Sequence, residues 1–165
     1  MVMAVNLSAL QFRRGDILAT VAAALERSGL SAHSLELELT ESILLQDIDD
    51  TMKTLRGLKD MGVKLSIDDF GTGYSSLSYL KRLAVDKLKI DQSFVRDVAE
   101  DTDDAAIVRA IVQMGHTLNL SVIAEGVETN LQMAFLARCG CDEVQGYLFS
   151  RPVPATDFGA LLRQE

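Results

Sequence analysis

The candidate strands of this chain are polar on one face, and that alternation constrains the fold more than any other feature. In Leu35–Thr40, Leu35, Leu37 and Leu39 point one way while Glu36, Glu38 and Thr40 point the other. Val63, Leu65 and Ile67 oppose Lys64, Ser66 and Asp68, and Leu88 and Ile90 oppose Lys87, Lys89 and Asp91. Further strand candidates are Val2–Leu7, Ser121–Glu125 and Glu143–Gly146. Helical patterns separate them: Asp16–Ser28 before Gly29, Asp47–Met61 before Gly62, Asp103–Leu118, Glu128 or Thr129 to Arg138, and Ala155–Arg163. Shorter helices are expected at Ser75–Arg82 and Phe94–Val98. Strands joined through helices in this way imply parallel βα units. Parallel strands covered on both faces read as continuous apolar runs. These do not, so the polar face is either the solvated side of an open sheet or the inside of a crevice where charged groups converge.

Position favours convergence. Asn6, Glu38, Asp68, Lys89, Glu125 and Gln145 each fall at or near the carboxyl end of a strand, the end where α/β barrels and open sheets build their sites. The expected class is therefore α/β, a TIM-barrel-like (β/α) fold. Closed barrels of that kind need about 250 residues, and this chain has 165. Length thus predicts an incomplete barrel of about six parallel strands. The chain also opens in what reads as core strand, as a piece of something longer would.

Sixteen Lys and Arg against 24 Asp and Glu give a formal charge of −8, which disfavours broad attraction to DNA or RNA backbone. An anionic substrate would then need a local cation, most simply a bound metal. Cys139 and Cys141 form a lone C-x-C without the four ligands of a zinc site, and read as reduced thiols suited to the cytoplasm. No apolar run approaches the ~20 residues of a membrane span.

Asp68-Asp69 is the sharpest local feature. Adjacent carboxylates near Glu38 and Glu125 would be costly to bury without a cation. One divalent ion, or two sharing a carboxylate, would resolve that cost. Oxygen ligands with one amide, Asn6, suit Mg²⁺ or Mn²⁺. The alternative is an N-cap pair before the Ser75 helix. Lys89 reads either as a salt-bridge partner of the acids or as a group that positions or deprotonates a water. Glu41 and Asp91 read as supports of the ligands or as helix caps, and Gly71-Thr72-Gly73 as a phosphate-approaching loop or a plain turn. His33 and His116 have no nucleophile pattern nearby.

Six blocks, in order, then resemble one family. They are Val5-Asn6-Leu7-Ser8, Glu38-Leu39-Thr40-Glu41-Ser42, Asp68-Asp69-Phe70-Gly71-Thr72-Gly73, Lys89-Ile90-Asp91, Ala124-Glu125-Gly126-Val127-Glu128-Thr129 and Gln145-Gly146-Tyr147. They resemble the conserved blocks of the EAL domain, the bacterial phosphodiesterase that hydrolyses cyclic di-GMP to linear pGpG. The resemblance implies Asn6, Glu38 and Asp68 as ligands of a first metal, and Asp68, Asp69 and Glu125 as ligands of a second. It implies Lys89 as the lysine that holds or activates the attacking water, and Glu41 as the glutamate that orders the loop after Asp69. Glu128, Gln145 and Tyr147 would line the substrate pocket. The Asp68–Tyr79 segment would couple metal binding to dimerisation, so the implied partners are cyclic di-GMP, a second copy of the chain, and an upstream sensory or GGDEF domain. The implied location is the bacterial cytoplasm, either free or within a larger membrane-tethered protein.

One element of the family pattern has no match: no Glu-Ala-Leu occurs in these residues. The expectation that follows is a single truncated domain over residues 1–165, the C-terminal two-thirds or so of the family's, lacking the first strands, one metal-binding Glu and a phosphate-contacting Arg. Its activity should be impaired or absent. The alternatives are a degenerate receptor that binds cyclic di-GMP without cleaving it, and a dimerising scaffold.

Overall fold

The computed structural model describes residues 1–14, 16–44, 48–73 and 80–162. Six parallel strands lie side by side in chain order: β1 (Met3–Leu7), β2 (Leu35–Thr40), β3 (Lys64–Phe70), β4 (Lys87–Ile90), β5 (Ser121–Ala124) and β6 (Glu143–Val144). Between β1 and β2 run α1 (Ala9–Arg14), α2 (Ile17–Ser28) and a 3₁₀ turn at Ala32–Ser34; α3 (Glu41–Leu44) and α4 (Ile48–Asp60) precede β3. Next to β4 and β5 come α5 (Gln92–Arg96) and α6 (Thr102–Thr117), then α7 (Asn130–Cys139) before β6 and α8 (Ala155–Leu161) after it. Asp47, Arg163 and residues 75–79 of the helix expected at Ser75–Arg82 lie outside the described residues, as does Tyr79.

Local chemistry sets the boundaries. Asp16 accepts the Ala19 amide at 3.0 Å to start α2, and Gly29, at φ 67°, ends it in the left-handed turn that glycine adopts freely. Asp101 caps α6 through the amides of Asp103 and Asp104. Thr129 and Gln132 form a reciprocal capping box at α7. The single-turn helices α1 and α3 were not expected from sequence, because elements that short show no periodicity.

The apolar parity of the strands faces the helices. Leu39, Leu65, Ile67, Leu88, Ile90 and Val122 pack with Leu55, Leu58, Val95, Val108, Val112 and Leu136 in one buried cluster. Each such side chain contributes about 1.5–3 kcal/mol on burial, so this layer carries the stability. The opposite parity is buried as well: none of Glu36, Glu38, Ser66, Asp68 and Lys89 is more than 9% exposed. A solvated open face would leave them wet. The polar face is therefore a concave interior in which charges meet. Both cysteines are free thiols. No helix among the described residues is long and apolar enough to cross a membrane.

Candidate active site

The Asp68-Asp69 pair lies within β3, which runs on to Phe70 rather than stopping at Asp68 as the sequence suggests. Ile67 faces Leu88 and Phe70 faces Ile90, so β3 carries one residue more than β4 over this stretch. A regular strand would send Asp68 and Asp69 to opposite faces. The extra residue, with Asp69 in the left-handed region at φ 55°, re-aims the pair. Oxygens of Asp68, Asp69 and Glu125 come within 4.8 Å of one another. Holding a non-glycine residue there costs about 1–3 kcal/mol, although Asp tolerates it better than most.

Lys89, only 3% exposed, ties the cluster together. Its Nζ lies 2.8 Å from Glu38 Oε1, 3.0 Å from Asp68 Oδ1 and 2.7 Å from Glu125 Oε1. Those partners come from β2, β3 and the residue after β5. Burial works against the charged ammonium, but hydrogen bonds to Glu125, Glu38 and Asp68 outweigh it and hold Lys89 above the usual lysine range. Burial first, then the charge of Asp68 and of Asp91, raises Asp69. Burial likewise raises Glu125, opposed by Lys89 and reinforced by Asp68 and Glu38. Asp91 is lowered: burial opposes this, but hydrogen bonds from Ser93 prevail. Its carboxylate caps α5 through the Ser93 amide at 2.9 Å while also facing Asp69.

An all-oxygen donor set carrying excess negative charge fits a hard divalent cation such as Mg²⁺ or Mn²⁺. Among the described residues, Asp68, Asp69 and Glu125 have the geometry to hold one. Glu38 borders them through Lys89. Asn6 stands in register with Glu38 across the β1–β2 pair but is exposed.

Glu41 opens α3, is 5% exposed, and has no hydrogen-bond partner among the described residues for either carboxylate oxygen. It packs directly under Gly73: a Cβ there would sit 2.8 Å from the carboxylate. The side chain thus lies in contact with the end of the Gly71–Gly73 turn after β3. Glu128, Gln145 and Tyr147 come together with Gln92 and Glu125 around a cavity of about 240 Å³. Gln132 shapes its rim by accepting the Glu128 and Thr129 amides at 2.8 and 2.9 Å and donating to the Arg96 carbonyl at 2.9 Å. Gly146 lets two backbones touch, since a Cβ would collide with the main chain of Val127. Val127 and Gln145 are joined there by an N–H···O bond of 3.0 Å. His33 and His116 lie away from the cluster; His116 pairs with Asp142 at 2.9 Å.

Sequence reasoning passed over a second ionic layer. Lys87 Nζ lies 3.2 Å from Glu36 Oε2 and 2.9 Å from Glu143 Oε2. The signal was present, because Lys87 and Glu36 share parity with Lys89 and Glu38. Gln92 was also missed, as was Arg151, whose guanidinium sits 4.7 Å from the Tyr147 ring centre. Neither belongs to a strand pattern that would have marked it.

Residues 1–152 match the EAL domain family. The chain is 55% identical over 152 residues to the bifunctional diguanylate cyclase/cyclic di-GMP phosphodiesterase MucR of Pseudomonas aeruginosa, covering 92% of this chain and 22% of MucR. It thus spans about a fifth of that relative's length. The crystal structure of the EAL domain of Mycobacterium smegmatis DcpA superposes with a TM-score of 0.94 at 43% identity, over 99% of this chain and 74% of DcpA's. A manganese and cyclic di-GMP complex of Klebsiella pneumoniae BlrP1 superposes with a TM-score of 0.83 at 38% identity, over 92% of this chain and 39% of the BlrP1 chain.

These matches correct three expectations drawn from length and from the unmatched Glu-Ala-Leu. A truncated member and an incomplete barrel with missing first strands were expected. Instead, nearly all of the chain follows the solved EAL fold, and its six strands run in unbroken parallel order. An impaired site, a degenerate receptor or a scaffold was expected. The Asp68–Asp69–Glu125 cluster is intact, and the fold that carries it superposes on that of the manganese and cyclic di-GMP complex of BlrP1. A non-functional fragment is likewise not what the structure shows, for the charged residues that could hold a metal converge on one cluster instead of lying scattered. By its sequence over residues 1–152 and by its fold, the chain belongs to the EAL domain family.

Proposed function

We propose that this chain hydrolyses cyclic di-GMP to linear pGpG in a reaction dependent on Mg²⁺ or Mn²⁺. The observation that carries the reading is Lys89, buried among Glu38, Asp68 and Glu125 beside the Glu128–Gln145–Tyr147 cavity. The resemblance to MucR and BlrP1, whose names tie them to this nucleotide, supports it. Asp68, Asp69 and Glu125 would hold one divalent ion; Asn6, Glu38 and Asp68 would hold a second. Ions there would offset phosphate charge and make bound water a better nucleophile.

The chain's own groups supply the rest. In the metal-free cluster the three N–H donors of Lys89 are taken up by Glu38, Asp68 and Glu125. With those carboxylates drawn to metal, a donor is freed to orient the attacking water, and proton acceptance is left to the carboxylates. Water adds to one phosphorus, the bond to a ribose 3′ oxygen breaks, and that oxygen takes up the proton. Glu41 holds the Gly71–Gly73 turn in place beside the ligands. Gln145 and Glu128 offer hydrogen bonds to a base, and the Tyr147 ring offers it a face.

A homodimer belongs to the same proposal. The exposed apolar side chains of Met3 and Val5 support it. A GGDEF or sensory domain upstream is supported by MucR's dual name, and a cytoplasmic setting by the two free thiols. Chromatography of cyclic di-GMP incubated with the chain and Mn²⁺ tests the reading. We expect pGpG with Mn²⁺ or Mg²⁺ and none with chelator or with Asp68→Asn. A folded chain that produces no pGpG with either ion would refute it.

A further inference from the structure

Lys87 is used by nothing above, yet it spans more of the sheet than any other described side chain. It stands on β4 two residues before Lys89, on the same face and about 6.6 Å further from the cluster at the usual strand rise. Its partners, Glu36 and Glu143, belong to β2 and β6. Neither strand is a neighbour of β4. Strands lie about 4.8 Å apart in a sheet, so β2 and β6 would be separated by about 19 Å if the sheet were flat. A single ammonium can bridge carboxylates from both only if the sheet curls around it. Glu36 is 4% exposed, so this is an interior tie on that side. The Glu143 end is half-exposed and holds an edge strand of two residues.

Lys89 cannot replace this tie, because none of its partners is on β6. Gln145 and Tyr147 follow Glu143 by two and four residues and wall the cavity next to Glu125. We propose that Lys87 is a positioning residue that draws β6 toward β2 and so brings Gln145 and Tyr147 to the substrate side of the carboxylate cluster. This rests on the phosphodiesterase reading above for its substrate. The consequence is a separation of roles within one strand: Lys89 acts on the carboxylate cluster and the attacking water, whereas Lys87 acts on how well the nucleotide is held.

The test is steady-state hydrolysis of cyclic di-GMP by the full chain and by Lys87→Met, Lys87→Arg and Glu143→Gln, with amide hydrogen exchange measured over residues 143–148. We expect Lys87→Met to raise KM about tenfold with kcat within about threefold of the parent, the signature of lost uniform binding. Lys87→Arg should recover most of that loss. Glu143→Gln removes only a half-exposed partner, so the fold is retained, and it should shift KM in the same direction, non-additively with Lys87→Met. Exchange over 143–148 should quicken in Lys87→Met and Glu143→Gln and return in Lys87→Arg. Unchanged KM and exchange in Glu143→Gln, or a fall in kcat alone in Lys87→Met, would overturn the proposal. Should the parent chain itself fail to cleave cyclic di-GMP, the phosphodiesterase reading fails, and the exchange measurement alone decides whether Lys87 holds β6.

Discussion

Lys89→Met separates the two cations that the carboxylate cluster can use. In the metal-free protein Lys89 offsets part of the charge of Glu38, Asp68 and Glu125 at 2.7–3.0 Å from a position 3% exposed. Removing one partner of a buried ionic group costs about 3–5 kcal/mol. A second route gives the same size: protonating one carboxylate of ordinary pKa near 4 at pH 7 costs about 4 kcal/mol, at ~1.36 kcal/mol per unit. For a chain of this length that corresponds to a loss of about 6–20 °C in Tm. The assay is thermal unfolding by circular dichroism at pH 7, in chelator and in excess Mn²⁺. In chelator the variant should melt well below the parent. In Mn²⁺ the gap should narrow to a few degrees, because the ion supplies the charge that the lysine did and binds only the folded cluster. Catalysis should stay low in both conditions, since the water-orienting donor is gone. An equal gap with and without Mn²⁺, or no gap in chelator, would refute the idea that Lys89 serves as the internal counter-ion.

Three further outcomes follow from the same geometry. Asp69→Asn keeps a residue that tolerates φ 55° while removing a carboxylate whose charged form is disfavoured by burial, Asp68 and Asp91. It should melt at or above the parent temperature in chelator yet bind Mn²⁺ at least about tenfold more weakly by calorimetry, since a ligand is lost; undiminished affinity would count against Asp69 as a ligand. Because Asp69 and Glu125 are both raised, burial being the largest cause, the folded state holds more protons than the unfolded one between the ordinary and the raised values. Their contribution to the stability of the metal-free protein should therefore grow as pH falls from neutral into that window, and Mn²⁺ affinity should decline over it. Titration calorimetry across that range checks both, and affinity that holds constant down to the ordinary carboxylate range would contradict them. Gly146→Ala drives a Cβ into the Val127 main chain, a clash no rotamer relieves, and should cost about 1–3 kcal/mol and raise KM; an unchanged melting temperature would show that the two segments part easily.

Much of the site was legible because strand parity is a strict geometric rule. Glu38, Asp68 and Lys89 were assigned to one face by counting alternate residues, and the structure brings them to a single ammonium. Asp69 fell outside that rule. It reaches the cluster through an extra residue in β3 and a left-handed backbone, and a register shift depends on the neighbouring strand, which the local sequence does not encode. Lys87 had the right parity but no motif, so its span to Glu36 and Glu143 emerged only when the curl of the sheet was known. Length misled in a different way. The shortfall against a closed barrel suggested a damaged site, but the cluster draws on β2, β3, β4 and the residue after β5, a contiguous run of the sheet. Charge neutralisation is local, so the integrity of that cluster is decided by those strands and not by the residue total.

The two faces of the sheet also divide the energetics. Leu39, Leu65, Ile67, Leu88 and Ile90 are fully buried against the helices, where each favours folding by about 1.5–3 kcal/mol. The ionic face offers no such surplus, because desolvating buried pairs roughly cancels their attraction. The apolar layer can therefore hold in place an interior that would not fold for its own sake. Truncating Leu65 should cost stability with little change in metal chemistry, whereas exchanging Lys89 together with all three of its partners, Glu38, Asp68 and Glu125, for neutral residues of similar size should cost much less stability and abolish the chemistry. The alternation with which the strands are written is thus a separation of tasks: one parity supplies the free energy of folding, and the other spends part of it on a cluster of like charges that becomes useful when a cation arrives.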